Sequence, residues 1–411
     1  MTPLLEDLKY GLRLLRRAPG FSIAAVLALA LGIGANTAIF SVVDAVLIAP
    51  LPYSDPSRLV VIWEDASFAG FPRNTPAPAN WVDWRAQNTV FTDIAATRGW
   101  TYSLTGDGPP EQIPSRRTTA SFWTVLDAKP LLGRVFTEEE DRNGAAVAVL
   151  GHGLWQRRFG GDASILGRKI LLNDAPYTVI GVMPKQFAFG ARIFELWTPA
   201  SFTPQELARR GSHFLQCVGR LKPGVTLGQA QTEMSGIMKR LEQQYPANRN
   251  YGVVLVPMAE QVGGNIRPLL LALLGAAGCV LLIACANIAN LLLARGAERQ
   301  REMAVRAAIG ASSGRLVRQL LTESLLLSGC GAVAGLGIAY LALGFIEKLV
   351  PQSMAAVTLS LDARLLALAI GLALLTGLLF GAAPAIAGVR INLHGALKQG
   401  CLLYTSDAAD E

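Results

Sequence analysis

The sequence predicts an α-helical membrane protein with four transmembrane helices and a large α+β domain outside the membrane. Three observations carry this. Of the 411 residues, 51% are hydrophobic and only 16% are charged, against about 25% charged in ordinary soluble domains. The apolar residues gather in four long runs, and the basic residues gather in the segments on one side of those runs. So much apolar surface excludes a disordered chain.

Each run is long enough to span, since a bilayer core takes about 20 helical residues. Phe21–Ile48 holds one charged residue, Asp44, while Pro268–Ala294, Leu325–Ile346 and Leu365–Val389 hold none. The first run follows the basic residues Lys9, Arg13, Arg16 and Arg17, as a signal peptide would. It is far longer than the roughly 7–15 apolar residues of a cleaved signal, so it reads as an uncleaved helix.

Lys and Arg set the orientation. Six Arg (295, 299, 301, 306, 315 and 318) fill the segment between runs two and three, whereas Glu347–Arg364 is nearly balanced. Both termini are therefore expected in the cytoplasm. The expected order is a cytoplasmic amphipathic arm over 1–20, span one over 21–48 and an outer domain over 49–267. Span two follows over 268–294, a cytoplasmic loop over 295–318 and span three over 319–347. An outer loop over 348–364, span four over 365–389 and a cytoplasmic tail over 390–411 complete it. In the arm, Leu4, Leu8, Leu12 and Leu15 share one helical face, which suits the anionic inner leaflet and makes membrane lipid a partner.

The outer domain contains all seven Trp, with 23 basic and 19 acidic residues. His213–Leu221 reads as a strand, Lys222-Pro223-Gly224 as a turn, and Leu227, Ala230, Met234, Ile237, Met238 and Leu241 recur at helical spacing. Tyr251–Val256 is the returning strand. This is half of a split βαβ sandwich, and Leu59–Ala95, with a helix near Asn80–Gln87, is the candidate other half. Asn173-Asp174 marks a turn between two strands. Cys217 is the outer domain's lone cysteine, so no disulfide framework is expected there.

The segment Glu298–Ile309 has strong helix formers and the i,i+4 pairs Glu298–Glu302 and Glu302–Arg306, the second of them favourable in sign and order. Gly310 is a natural helix stop, and Ser312 or Ser313 can cap the next helix. A short helix parallel to the membrane is expected there, either a solvated loop or a docking element for a cytoplasmic partner.

Signals for chemistry are weak. The chain has no P-loop, and His152, His213 and His394 are scattered. No catalytic residue, cofactor or metal site is expected, and the chain does not read as an enzyme. The pI near 9.3 reflects membrane orientation, so nucleic acid is not an expected partner. Gly32-Ile33-Gly34, with Ala28, Ala35 and Ala38, suits close helix packing. Asn287 and Asn290 suit hydrogen bonding between helices, and Asp44 and Glu323 suit membrane interfaces. Thr137 is the expected N-cap of the acidic run Glu138–Asp141.

Asp7–Leu15, Pro19-Gly20-Phe21, Leu31–Ser41, Leu51-Pro52-Tyr53 and Arg58-Leu59-Val60 together resemble the start of MacB/FtsX-type ABC transporter permeases. Leu154–Gly161, Tyr177–Pro184 and above all Arg301–Ala311 continue the resemblance. It is nearest to the duplicated orphan permeases described from acidobacteria, of which this chain matches the first half. The resemblance implies a periplasmic domain of MacB-core type between span one and three further spans. It implies that Glu298, Glu302, Met303, Arg306 and Gly310 couple to a cytoplasmic ABC ATPase on another chain. It also implies mechanotransmission, with helix motion reshaping the outer domain, and a second permease unit, as a homodimer or as the missing second half. Residues 401–411 do not read as the family's continuation and look like translated sequencing-library adapter. The expected function is a permease subunit exporting or extracting a hydrophobic or peptide-like cargo. The alternative is an FtsX-like signalling protein that activates a periplasmic partner without transport. A periplasmic adaptor serves the first reading and a hydrolase the second.

Overall fold

The computed structural model describes residues 13, 16, 19–44, 53–106, 108–190, 193–264, 267–308, 313–349 and 363–389. From residue 267 onward, side chains are described at 267–288, 290, 314, 318, 321–345 and 363–379.

The chain enters through helix α1 (Pro19–Val43). Strands β1 (Leu59–Ala66) and β2 (Phe71–Asn74) follow, then helix α2 (Pro78–Gln87) and strands β3 (Phe91–Thr105) and β4 (Glu111–Thr118). Next come α3 (Ser121–Leu126), β5 (Leu132–Gly133), α4 (Glu138–Arg142), β6 (Val147–Leu150) and α5 (His152–Phe159). Strands β7 (Lys169–Leu172), β8 (Ala175–Val182) and β9 (Leu196–Pro199) precede the short helix α6 (Pro204–Leu207). The outer part closes with β10 (Gln216–Leu221), α7 (Leu227–Gln244), β11 (Gly252–Pro257) and α8 (Met258–Gly263). Three long helices end the described chain: α9 (Arg267–Ala308), α10 (Ser313–Leu349) and α11 (Ala363–Val389). Contacts divide these elements into two compact units, one with all the strands and one with α1 and α9–α11.

In the strand unit, one sheet runs in the order β11-β1-β10-β3-β4-β9-β6-β8-β5, with β2 beside β1 and β7 beside β3 and β8. β1 is buried on both faces, which explains its unbroken apolar start. Leu59 and Val61 point into one core with Phe122, Trp123 and Trp197. Val60 and Ile62 point into another with Trp84, Met234, Ile237 and Leu241. The second core lies under α2 and α7, so β1-α2-β3 and β10-α7-β11 form the two halves of a split βαβ layer.

The spacing that suggests α7 is also its buried stripe: Ala230, Met234, Ile237, Met238 and Leu241. Thr226 and Gln229 close a reciprocal capping box at its start. The Thr137–Glu140 box does the same for α4. Asn173 and Asp174 both take positive φ, 50° and 64°, which matches the twist of the tight β7–β8 hairpin. Tyr53 donates its hydroxyl to Ala188 O at 2.7 Å and accepts from Gly190 N at 3.2 Å. Burial pushes the Tyr53 hydroxyl above its ordinary pKa.

In the helical unit, Pro19–Val43, Arg267–Ile288 and Leu321–Phe345 are each long and apolar enough to cross a bilayer, and Ala363–Leu379 is a shorter apolar stretch. Gly34 sits where α1 crosses α10: a Cβ there would meet Gly335 O at 2.8 Å. Gly335 answers from the other side, with Ala30 O at 3.0 Å from its own added Cβ. The glycines therefore permit backbone-to-backbone packing. Asn36 donates to Gly32 O in its own helix and to Ala277 O of α9, at 2.8 and 2.9 Å.

Two expectations need correction. Asn287 and Asn290 lie on the exposed side of α9, and Asn36 makes the interhelical bond instead. The cause is rotational register: Leu281, Ala284 and Ile288 take the packed face of α9. Second, Glu298–Ala308 is not a separate helix. It continues α9, a single helix of 42 residues, because no proline interrupts it and Gly296 alone costs only about 1 kcal/mol.

Gly34→Ala should lower stability in detergent by about 1–3 kcal/mol through overpacking. Gly337→Ala, with nothing within 4 Å of its added Cβ, should be neutral or stabilising. Thermal unfolding of the two variants checks this, and equal midpoints would refute the close-packing account.

Candidate functional site

The residues assigned to coupling fall at the end of α9. Glu298, Glu302, Met303 and Arg306 lie within its last turns, and Gly310 lies outside the described residues. The intervals of four put positions 298, 302 and 306 on one helical face. At 1.5 Å per residue the helix is roughly 60 Å long, about twice the thickness of a bilayer core. One unbroken rod thus joins an apolar first half to a charged second half.

Polar groups inside the helical unit serve packing. Thr37 donates to Ile33 O and Thr376 to Leu372 O, each at 2.8 Å within its own helix. Asp44 lies 3.5 Å from Arg364, at the end of α1 and the start of α11. Glu323 is 7% exposed near the start of α10. Both carboxylates sit near helix ends, away from the middle of a span.

The strongest polar constellation is in the strand unit, and it centres on Glu64. This carboxylate is 0% exposed. Its Oε1 accepts from Ala77 N at 2.9 Å and Asn80 Nδ2 at 2.7 Å, and its Oε2 lies 2.7 Å from His213 Nδ1. His213 stacks on Tyr251 with ring centroids 5.2 Å apart and planes 13° apart. Asn80 Oδ1 in turn accepts from Arg210 at 2.7 Å and Asn248 at 2.9 Å, and Arg210 reaches Asp83 at 2.6 Å. One network therefore ties β1, α2, the approach to β10 and the chain just after α7.

Sequence reading missed this hub. The available signal was a Glu that directly follows the apolar run Leu59–Trp63 inside a strand. The hub is built for cohesion, not catalysis. Its nearest thiol, Cys217, is held well above its ordinary pKa by burial, with the Glu64 charge adding to the effect, so it is a poor nucleophile. Among the described residues, no group of three or more His, Cys, Asp or Glu could hold a metal ion.

Comparison with known proteins adds the family. Residues 22–237 match the MacB-like periplasmic core domain, and residues 274–393 match the FtsX-like permease C-terminal domain. The chain belongs to the MacB/FtsX permease family. It is similar to the pyoverdine export ATP-binding/permease protein PvdT of Pseudomonas syringae pv. syringae, 30% identical over 284 residues, covering 67% of this chain and 40% of that one. It is also similar to the macrolide export ATP-binding/permease protein MacB of Chromobacterium violaceum, 28% identical over 279 residues, covering 68% and 42%. The matched part thus spans less than half the length of these relatives. Among solved structures, the periplasmic region of MacB from Actinobacillus actinomycetemcomitans aligns with a TM-score of 0.40 and 14% identity, over 52% of this chain and 94% of that one. The extracellular domain of the ABC-type transporter YknZ aligns with a TM-score of 0.37 and 14% identity, over 48% and 99%. Family membership and apolar helices together make this a membrane protein with a periplasmic-type domain.

The hub predicts a pH signature. The Glu64 carboxylate raises the pKa of His213 by hydrogen bonding to it. The pair's stabilisation is therefore complete below about pH 6.5, the unfolded histidine value. It is lost as pH rises through the higher folded value. His213→Gln should remove that stretch of the stability profile while leaving the acidic side of the curve parallel to wild type. Thermal melts across pH 5–9 check this, and superimposable pH profiles would refute it.

Proposed function

We propose that the chain is the permease unit of an ABC-type export or mechanotransmission system, powered by an ATPase on a separate chain. The observation that supports this best is the continuity of α9. A helix stiff through both its apolar and charged halves transmits displacement without loss at a hinge. In this reading the charged end meets the ATPase in the cytoplasm, and ATP-driven closure there moves the span and reshapes the outer domain.

The topology that goes with this reading has four spans and both termini inside the inner membrane, with α11 as the fourth span. Glu298, Glu302 and Arg306 present one charged face to the ATPase, Met303 adds an adaptable apolar contact, and Gly310 ends the element. A second permease unit, a homodimer partner or the other half of a duplicated acidobacterial-type permease, completes the transporter. The cargo is hydrophobic or peptide-like.

Co-purification with a candidate ABC ATPase tests the coupling face. Arg306→Glu and Met303→Asp should each weaken retention and stimulation of the ATPase about tenfold, or ~1.4 kcal/mol. Ala297→Pro should leave the ATPase bound but stop ATP from altering the protease sensitivity of the outer domain, because proline breaks a helix interior at a cost of about 3 kcal/mol. Unchanged binding and unchanged ATP response in all three variants would overturn the assignment.

A further inference from the structure

Arg98 on β3 and Arg117 on β4 are directly opposed in the antiparallel register. They share one face of the sheet, and like charges in that relation repel. Trp100, two residues along β3, is on the same face. Both guanidiniums lie by its ring, Arg98 at 5.2 Å and Arg117 at 5.4 Å from the centroid. Trp100 is nevertheless 40% exposed.

The local charges do not balance. Arg98 meets one carboxylate, Glu206, at 3.2 Å. The other oxygen of Glu206 is already engaged by the backbone N–H and hydroxyl of Thr203. Arg117 donates to the carbonyl oxygens of Pro199 and Ala200, at 3.4 and 2.8 Å, and meets no carboxylate among the described residues. Arg98 Nε is buried without an acceptor among the described residues. Burial, and then the Arg117 charge, hold the Arg98 guanidinium below its ordinary pKa. Phe202 and Phe214 pack against the Arg98 guanidinium, each ring centroid 5.5 Å away. The donors are thus set in place before any ligand arrives.

We infer that Arg98, Trp100 and Arg117 form a docking site for an acidic peptide segment of a partner protein, whose carboxylate is received by the two guanidiniums beside the Trp100 ring. The charge complementarity is direct: the pair of guanidiniums has one carboxylate, Glu206 on Arg98, and a second carboxylate restores balance. Paired donors of this kind favour carboxylates. The Trp100 ring is exposed beside the two guanidiniums, which suits a chain segment. Trp and Arg are also the residues that dominate protein interfaces.

The test uses the full chain in detergent, labelled with 5-fluorotryptophan and read by fluorine NMR, with Trp100→Phe assigning the Trp100 signal. The probes are an acetylated Glu-Glu-Leu peptide amide, its Gln-Gln-Leu counterpart and inorganic phosphate. The acidic peptide should shift the Trp100 signal alone, bind at least tenfold more tightly than the Gln peptide, and weaken with added salt. Arg117→Gln should weaken it about tenfold, with the other tryptophan signals in place as proof of folding. If that variant does not fold, the salt and Gln-peptide comparisons on wild type decide. Equal binding of the two peptides, no shift from either, or displacement by phosphate at the peptide's own concentration would overturn the proposal.

Discussion

The outer domain is organised around a charge that has no water. Leaving a carboxylate such as Glu64 in the interior costs several kcal/mol unless fixed donors replace its hydration. Two of its donors come from the entry to α2, and the third group is His213, just before β10. These residues are remote in sequence and must arrive together, so the hub sets how the two βαβ halves close on each other. Removing one partner would strand the carboxylate, a heavier penalty than losing an ordinary hydrogen bond. Around it, apolar burial does the bulk of the stabilising, with Trp84 and Leu241 on one side of β1 and Trp123 and Trp197 on the other.

The helical unit meets a different constraint. Lipid is as apolar as leucine, so burying leucine between helices gains little there, and close contact must supply the attraction. Gly34 and Gly335 allow that contact, and Asn36 adds a bond from α1 to a carbonyl of α9. Side chains facing away from these crossings, such as Leu282, Ile283 and Leu341, are exposed in the isolated chain, as a lipid-facing surface requires.

The legible features were those written in local periodicity. The apolar runs announce long helices, the stripe from Ala230 to Leu241 announces α7, and the capping pairs Thr226–Gln229 and Thr137–Glu140 mark helix starts. Rotational register was not legible. Composition makes Asn36 and Asn287 equal candidates for interhelical bonding, and only the packed face of α9 separates them. The Glu64 hub was invisible for a related reason: Glu64, Asn80, His213 and Asn248 form no spacing pattern, and tertiary structure alone brings them together. The segment from Glu298 to Ala308 was legible as helix, but its continuity with the span depends on nothing breaking the helix between them. That absence carries little weight until the backbone is seen.

The placement of tryptophan has a practical consequence. All seven indoles belong to the segment between α1 and α9. Intrinsic tryptophan emission therefore arises from the outer domain and is silent about the spans. Within that set, Trp81, Trp84, Trp123, Trp155 and Trp197 are buried, Trp63 is half-buried, and Trp100 is exposed. A soluble quencher should dim one emitter well before the rest, so the chain carries its own optical probe, already positioned on one face of one sheet.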